Sequence, residues 1–175
     1  VGLPDQQLKG ALIMTIPVTR EALGYSGGDG SVLKGNAREV ITGWTTGRIL
    51  KKSESGALVI FSTAAGQAIV LPPVATRDIG MYFDFLVTVT GTGTYSVTTD
   101  AATTFIIGAV DSSSTTVAEG GDTFVADGTT VTNYTADSDL TGRFVGTSIR
   151  LTAISTTVWA ISGCMMGVGT LATPF

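Results

Sequence analysis

From Ala57 onward, short runs of valine, isoleucine, threonine and aromatic residues alternate with glycine, proline and Asp-Gly breaks, and this restricts the chain to a β architecture. The branched side chains are stiff at χ1 and pack well on a pleated surface. In the clearest run, Phe83, Phe85, Val87 and Val89 share one face, and Asp84, Leu86, Thr88 and Thr90 share the other. Gly91-Thr92-Gly93 then predicts a tight turn and a hairpin with residues 94–99. Asp127-Gly128 predicts a second hairpin between residues 124–126 and 131–134. Residues 57–61 are wholly apolar, as a buried strand would be, and the run 68–71 stops at Pro72-Pro73. Further runs follow at 105–110, 144–154 and 158–161. About eight to ten short strands with no sustained helical period predict an all-β fold, an antiparallel sandwich or jelly-roll-like barrel. No fixed repeat stands out, so neither a solenoid nor a propeller is expected.

The first forty residues read differently. Residues 11–18 form a short apolar run in which Pro17 argues for an edge or an arm over a central strand. Gly24, Gly27, Gly28, Gly30 and Gly35 make a loop with no core of its own. The expectation is an extended N-terminal arm over 1–40, with at most a short helical turn at 18–23, followed by a β body over 41–175. No signal peptide is expected from Val1-Gly2-Leu3-Pro4-Asp5, and no run of 18 apolar residues predicts a membrane span.

Charge narrows the surface. Charged residues make up 14% of the 175, against about 25% in ordinary globular chains. A polar surface built from Thr, Ser and Gly suits a part whose surface is covered in an assembly; a neutral, Thr-rich secreted domain is the alternative. The net charge of −4 gives no general attraction to nucleic acid or anionic membrane. Residues 1–54 hold seven bases and five acids, whereas 55–175 hold three bases and nine acids. The two parts thus differ in sign, which suggests different neighbours.

The chain has 29 threonines and no histidine, and that weighs against catalysis. Gly24-Tyr25-Ser26-Gly27-Gly28 matches the serine-hydrolase elbow, but the serine has no histidine base and no strong strand before it. Gly167-Val168-Gly169-Thr170-Leu171-Ala172 mimics a dinucleotide fingerprint, yet only three residues follow where a helix is needed. The single cysteine, Cys164, reads as a buried structural residue. Asp100, Asp111, Glu119, Asp122, Asp127, Asp137 and Asp139 form a base-free stretch that could gather Ca²⁺, although their spacing fits no calcium loop and a solvated acidic region is the plainer reading. Paired carboxylates for glycoside cleavage would need aromatic platforms, and the only tryptophans are Trp44 and Trp159. No cofactor is expected.

Several segments carry a resemblance: residues 66–72 (GQAIVLP), 79–85 (IGMYFDF), 94–97 (TYSV), 107–110 (IGAV) and 158–163 (VWAISG). Together they are similar to a β-domain common among structural proteins of tailed bacteriophages, which includes capsid decoration, or cement, proteins. The similarity spans about 56–163 and rests on loose motifs, a Leu-Pro before a Gly-aromatic strand and a closing Trp strand that ends in Gly. It implies a non-enzymatic protein on the outer face of an icosahedral shell in the virion, assembled in the host cytoplasm. Its implied partners are the major capsid protein and itself, commonly as a homotrimer, with no nucleic acid and no membrane.

The N-terminal forty residues lie outside this resemblance. Strand addition by an arm would supply main-chain hydrogen bonds and side-chain pockets. Leu12, Ile13, Ile16 and Val18 are the candidate pocket fillers, and Arg20, Lys34, Arg38 and Arg48 the candidate contacts to an acidic shell. Equally, 11–18 could be an internal edge strand. A tail-fibre or receptor-binding module that holds carbohydrate is the competing reading, and exposed aromatics in a cleft would favour it.

Overall fold

The computed structural model describes residues 38–45, 47–116 and 120–175. Eleven strands run through them: β1 (Val40–Ile41), β2 (Gly47–Ile49), β3 (Leu58–Phe61), β4 (Gln67–Val70), β5 (Tyr82–Val87), β6 (Tyr95–Thr98), β7 (Phe105–Ser114), β8 (Thr123–Asp127), β9 (Asn133–Ala136), β10 (Ser148–Ala153) and β11 (Val158–Gly167). Single 3-10 turns stand at Lys52–Glu54 and Thr76–Asp78. The large sheet has seven strands in the order β1-β3-β5-β10-β11-β7-β8, and the small sheet has four in the order β2-β4-β6-β9. The body is an all-β, sandwich-like fold and not a closed barrel. Both sheets are mixed where antiparallel ones were expected: β1/β3, β3/β5, β7/β11, β2/β4 and β4/β6 pair in parallel.

The parallel pairs come from the path of the chain. Up to β6, successive strands alternate between the sheets, so the first six strands form three turns of a flattened coil. Val40, Leu58 and Asp84 stand side by side in the large sheet, although unequal lengths of chain separate them. Those unequal lengths explain why no sequence period announced the coil.

Both expected hairpins are corrected by this path. The turn at 91–93 carries the chain from β5 in the large sheet to β6 in the small one. It stacks on the corner between β3 and β4: the N–H groups of Thr92 and Gly93 donate to the Ala64 carbonyl at 2.7 and 2.9 Å. A side chain at Gly93 would put its Cβ 1.9 Å from the Ala65 carbonyl oxygen, so the stacking itself requires glycine. Asp127-Gly128 likewise leads from β8 to β9 in the other sheet. There Asp127 Oδ1 accepts the N–H groups of Thr129 and Thr130, each at 2.8 Å, and shapes the crossing. β10 and β11 do form a hairpin, in register from Ser148 opposite Cys164 to Ala153 opposite Trp159.

The core lies between the sheets. Val59, Phe61, Phe83, Phe85, Leu151 and Trp159 of the large sheet and Ile69, Tyr95 and Val97 of the small one are all at most 2% exposed. Each such side chain contributes about 1.5–3 kcal/mol on burial. Phe61 joins Trp44, Phe85 and Tyr95 in one aromatic cluster, with ring centroids 5.0–6.2 Å from its own. Gln67, 2% exposed, ties two corners of the coil together. Its Oε1 accepts the Ser62 and Thr63 N–H groups at 2.7 and 3.1 Å, and its Nε2 donates to the Trp44 carbonyl at 2.5 Å. The run 57–61 is not buried on both sides as expected: Val59 and Phe61 are buried, but Leu58 and Ile60 are only half-buried.

Candidate functional site

The outer face of the large sheet carries the most structured polar cluster among the described residues. On β5, Phe83 and Phe85 point into the core, so the alternation turns Asp84 outward. On β10, Ile149 and Leu151 do the same for Arg150, and register sets Arg150 directly opposite Asp84. Arg150 grips the carboxylate with two donors, Nε to Oδ1 at 2.6 Å and Nη2 to Oδ2 at 2.8 Å. Its guanidinium also lies 4.7 Å from the centre of the Tyr82 ring, which fixes the plane of the fork. From the segment before β1, Arg38 donates to Asp84 Oδ2 and to the Gly56 and Ala57 carbonyls.

These contacts set the charge state. Hydrogen bonding by Arg150 above all, opposed by partial desolvation and helped by Arg38, holds the Asp84 carboxyl below the usual carboxylate range. The same bond raises Arg150. Two guanidinium groups around one carboxylate leave the cluster with a net positive charge. Beside it lies an open groove of about 470 Å³, walled by Leu58 and Leu86 and floored by Ser148, Ser162 and Gly163. Rigid arginines, apolar walls and small polar floor residues can seat an acidic or mixed protein surface. Among the described residues that line the groove, no nucleophile is paired with a base. Phe85 is the one aromatic in its lining, and the ring is buried in the core.

The candidate site residues divide. Leu12, Ile13, Ile16, Val18, Arg20 and Lys34 lie outside the described residues, as do residues 1–37 of the expected arm, the helical turn at 18–23 and Ser26. Arg38 belongs to the groove. Arg48 does not: its Nη2 meets Glu54 Oε1 at 2.5 Å, Glu54 is buried, and the Arg48 Nε has no hydrogen-bond partner among the described residues. Asp84 and Arg150 were not singled out by sequence. The outward position of Asp84 in an alternating strand was a usable signal, but its pairing with Arg150 depends on strand order.

Glu119 lies outside the described residues, and the described members of the acidic stretch do not converge. Among the described residues no group of three His, Cys, Asp or Glu side chains could hold a metal ion. Asp111 accepts from the Thr123 hydroxyl, Asp127 caps its turn, Asp137 accepts from Thr141, and Asp139 pairs with Arg143. Cys164 is only partly buried, with Sγ 3.8 Å from Ser113 Oγ. No helix among the described residues is long and apolar enough to cross a membrane. No family model, curated protein or solved structure matches the chain.

Proposed function

We propose that this chain is a non-enzymatic capsid decoration protein that binds the outer surface of a tailed-phage shell and stabilises it by bridging capsomers. The observation that carries the reading is the groove: an immobilised, net positive arginine pair beside apolar walls, on a stiff sandwich with few surface charges. Such a site suits attachment to a protein surface, where fixed arginines and flanking apolar area supply the binding energy. The segments that carry the phage resemblance also support it, because each contributes to a strand of the sandwich: 66–72 to β4, 79–85 to β5, 94–97 to β6, 107–110 to β7 and 158–163 to β11. The partner is the major capsid protein, and the site of action is the virion exterior. A carbohydrate-binding tail module would draw on exposed aromatics in its cleft, and the one aromatic lining this groove faces the core.

In this reading the N-terminal residues with Leu12, Ile13, Ile16, Val18 and Arg20 strengthen attachment. Co-sedimentation of the full chain with empty phage shells, compared with a form lacking residues 1–20, tests it. The truncated form should keep its β circular dichroism and pellet with shells less completely. No sedimentation of the full chain with any shell overturns the reading, and equal sedimentation of both forms removes the arm from it.

A further inference from the structure

We propose that β8, the outermost strand of the large sheet, is a homodimer edge: it pairs antiparallel with β8 of a second copy about a two-fold axis at Val125, joining the two large sheets into one. The proposal stands apart from the capsid reading. β8 lies three places beyond β10 in the sheet, and none of its residues lines the Arg38–Asp84–Arg150 groove.

Four strands end the two sheets, and they are not alike. The edge at β9 is met by the C-terminal segment, where the Thr135 N–H donates to the Pro174 carbonyl at 2.8 Å. β1 and β2 have only two and three residues. β8 has five, pairs among the described residues with β7 alone, and carries no proline, lysine or bulge of the kind that guards an edge. Its ladder with β7 shows which groups are free. The Ser112 N–H donates to the Asp122 carbonyl and the Gly128 N–H to the Ile106 carbonyl, so the even-numbered residues of β8 bond to β7. The N–H and C=O groups of Thr123, Val125 and Asp127 therefore point out of the sheet. Val125 is 69% exposed, and Phe124 beside it is half-buried.

The spacing of these features makes the edge self-complementary. Val125 is the middle residue of β8 and one of those whose groups face out. An antiparallel partner centred there sets Val125 on Val125, and Thr123 on Asp127 of the other copy, so that every outward N–H and C=O of both strands finds a partner. Odd positions meet odd positions, which puts the two core faces on the same side. On that face Phe124 lies beside Ala126 of the other copy, large against small, and the contact occurs twice. No acid stands opposite an acid. Asp127 meets Thr123, and its carboxylate is turned back onto Thr129 and Thr130 by hydrogen bonds of 2.6 and 2.8 Å. A strand from another protein would use the same main-chain groups, but the doubled fit of Phe124 to Ala126 belongs to a second copy. Five residues span roughly 17 Å. So small a joint makes a weak dimer that forms at micromolar concentrations.

Sedimentation equilibrium of the full chain from about 5 to about 200 µM tests the proposal, with circular dichroism as a check that each variant is folded. The wild-type chain should pass from monomer to dimer over this range. Val125→Pro removes an N–H that faces away from β7, so the β7 ladder survives and the joint does not. Its dissociation constant should rise at least tenfold. Val125→Thr keeps the N–H and should associate like wild type. If Val125→Pro fails to fold, cross-linking decides. Val125→Cys in a Cys164→Ser chain puts two sulfurs at the axis, with Cα atoms about 5.5 Å apart, within disulfide reach. It should oxidise to a covalent dimer, whereas Ile107→Cys, exposed one strand further in, should not. A wild-type chain that stays monomeric at about 200 µM overturns the proposal. So does an oligomer of any size that a folded Val125→Pro variant retains, or one that cross-links through residue 107 and not 125.

Discussion

Arg150 and Asp84 face each other across β10 and β5 in a two-point contact, Nε to Oδ1 and Nη2 to Oδ2, with Arg38 closing on the same carboxylate from the far side. Half of the Arg150 side chain is exposed, against 16% for Asp84, so the carboxylate is the buried member of the trio. Removing it leaves two guanidinium groups facing each other with no counter-charge.

Asp84→Asn should therefore destabilise the body at neutral pH by roughly 1 kcal/mol, since the arginines are solvent-screened and exposed pairs contribute little. The pH dependence identifies the cause. The Asp84 carboxyl is lower in the folded chain than in the unfolded one, so its contribution is complete above the unfolded value of about 4. It is lost as pH falls through the folded value. Urea unfolding should show wild type more stable than the variant at pH 7, with the gap closing as the carboxylate protonates. A gap that persists in strong acid would mean that packing, not charge, sets the difference.

The stacked corners of the coil predict a sharp contrast between two glycines. Gly93→Ala drives a Cβ into the Ala65 backbone, whereas a Cβ at Gly47 meets nothing within 4 Å. Because the obstacle is backbone, it cannot swing aside. Gly93→Ala should cost about 2–3 kcal/mol, in the range of overpacking, and Gly47→Ala should stay within about 0.5 kcal/mol of wild type. Thermal melts of the two variants check both numbers.

The same corner explains what could be read from sequence and what could not. The strands themselves were legible, because alternation in residues 83–87 and the breaks at Pro72-Pro73 and Gly91-Thr92-Gly93 are local signals. Their partners were not. A glycine turn that reverses a strand into a hairpin and one that crosses to a second sheet share a composition, and only the Ala64 carbonyl beneath Thr92 and Gly93 distinguishes them. The groove follows the same rule. Arg38, Asp84 and Arg150 come from distant parts of the chain, and strand order alone unites them. Arg38 and Arg48 look alike in sequence, yet one borders an open groove and the other is held by Glu54.

Gln67 should behave as a tie whose loss is larger than its exposure suggests. Gln67→Ala strands two backbone N–H groups and the Trp44 carbonyl inside the corner. Each unsatisfied buried group costs about 1–3 kcal/mol, and partial access of water should bring the total to roughly 3 kcal/mol. Trp44 lies 5.9 Å from Phe61 and is held through its own carbonyl, so its fluorescence should change along with the melting temperature. A variant as stable as wild type would mean that the corner rearranges without the amide.

Tyr134 should show the opposite sign on losing a polar atom. Its hydroxyl is buried without a hydrogen-bond partner among the described residues, and its ring packs edge-on against Phe175 at 6.2 Å. Burial pushes its phenol far above the usual tyrosine range. The folded chain then keeps the proton at pH values where the unfolded chain loses it, so stability falls as pH rises beyond about 10. Tyr134→Phe removes both the unpaired hydroxyl and this ionisation. It should match or exceed wild type at pH 7, because deleting an unsatisfied group relieves its desolvation cost. Its advantage should then grow on the alkaline side, by about 1.4 kcal/mol for each pH unit between the unfolded and folded values. Unfolding curves at pH 7 and pH 11, paired with tyrosine absorbance to follow ionisation, measure both effects. A variant less stable than wild type at pH 7 would show that the hydroxyl is satisfied in solution.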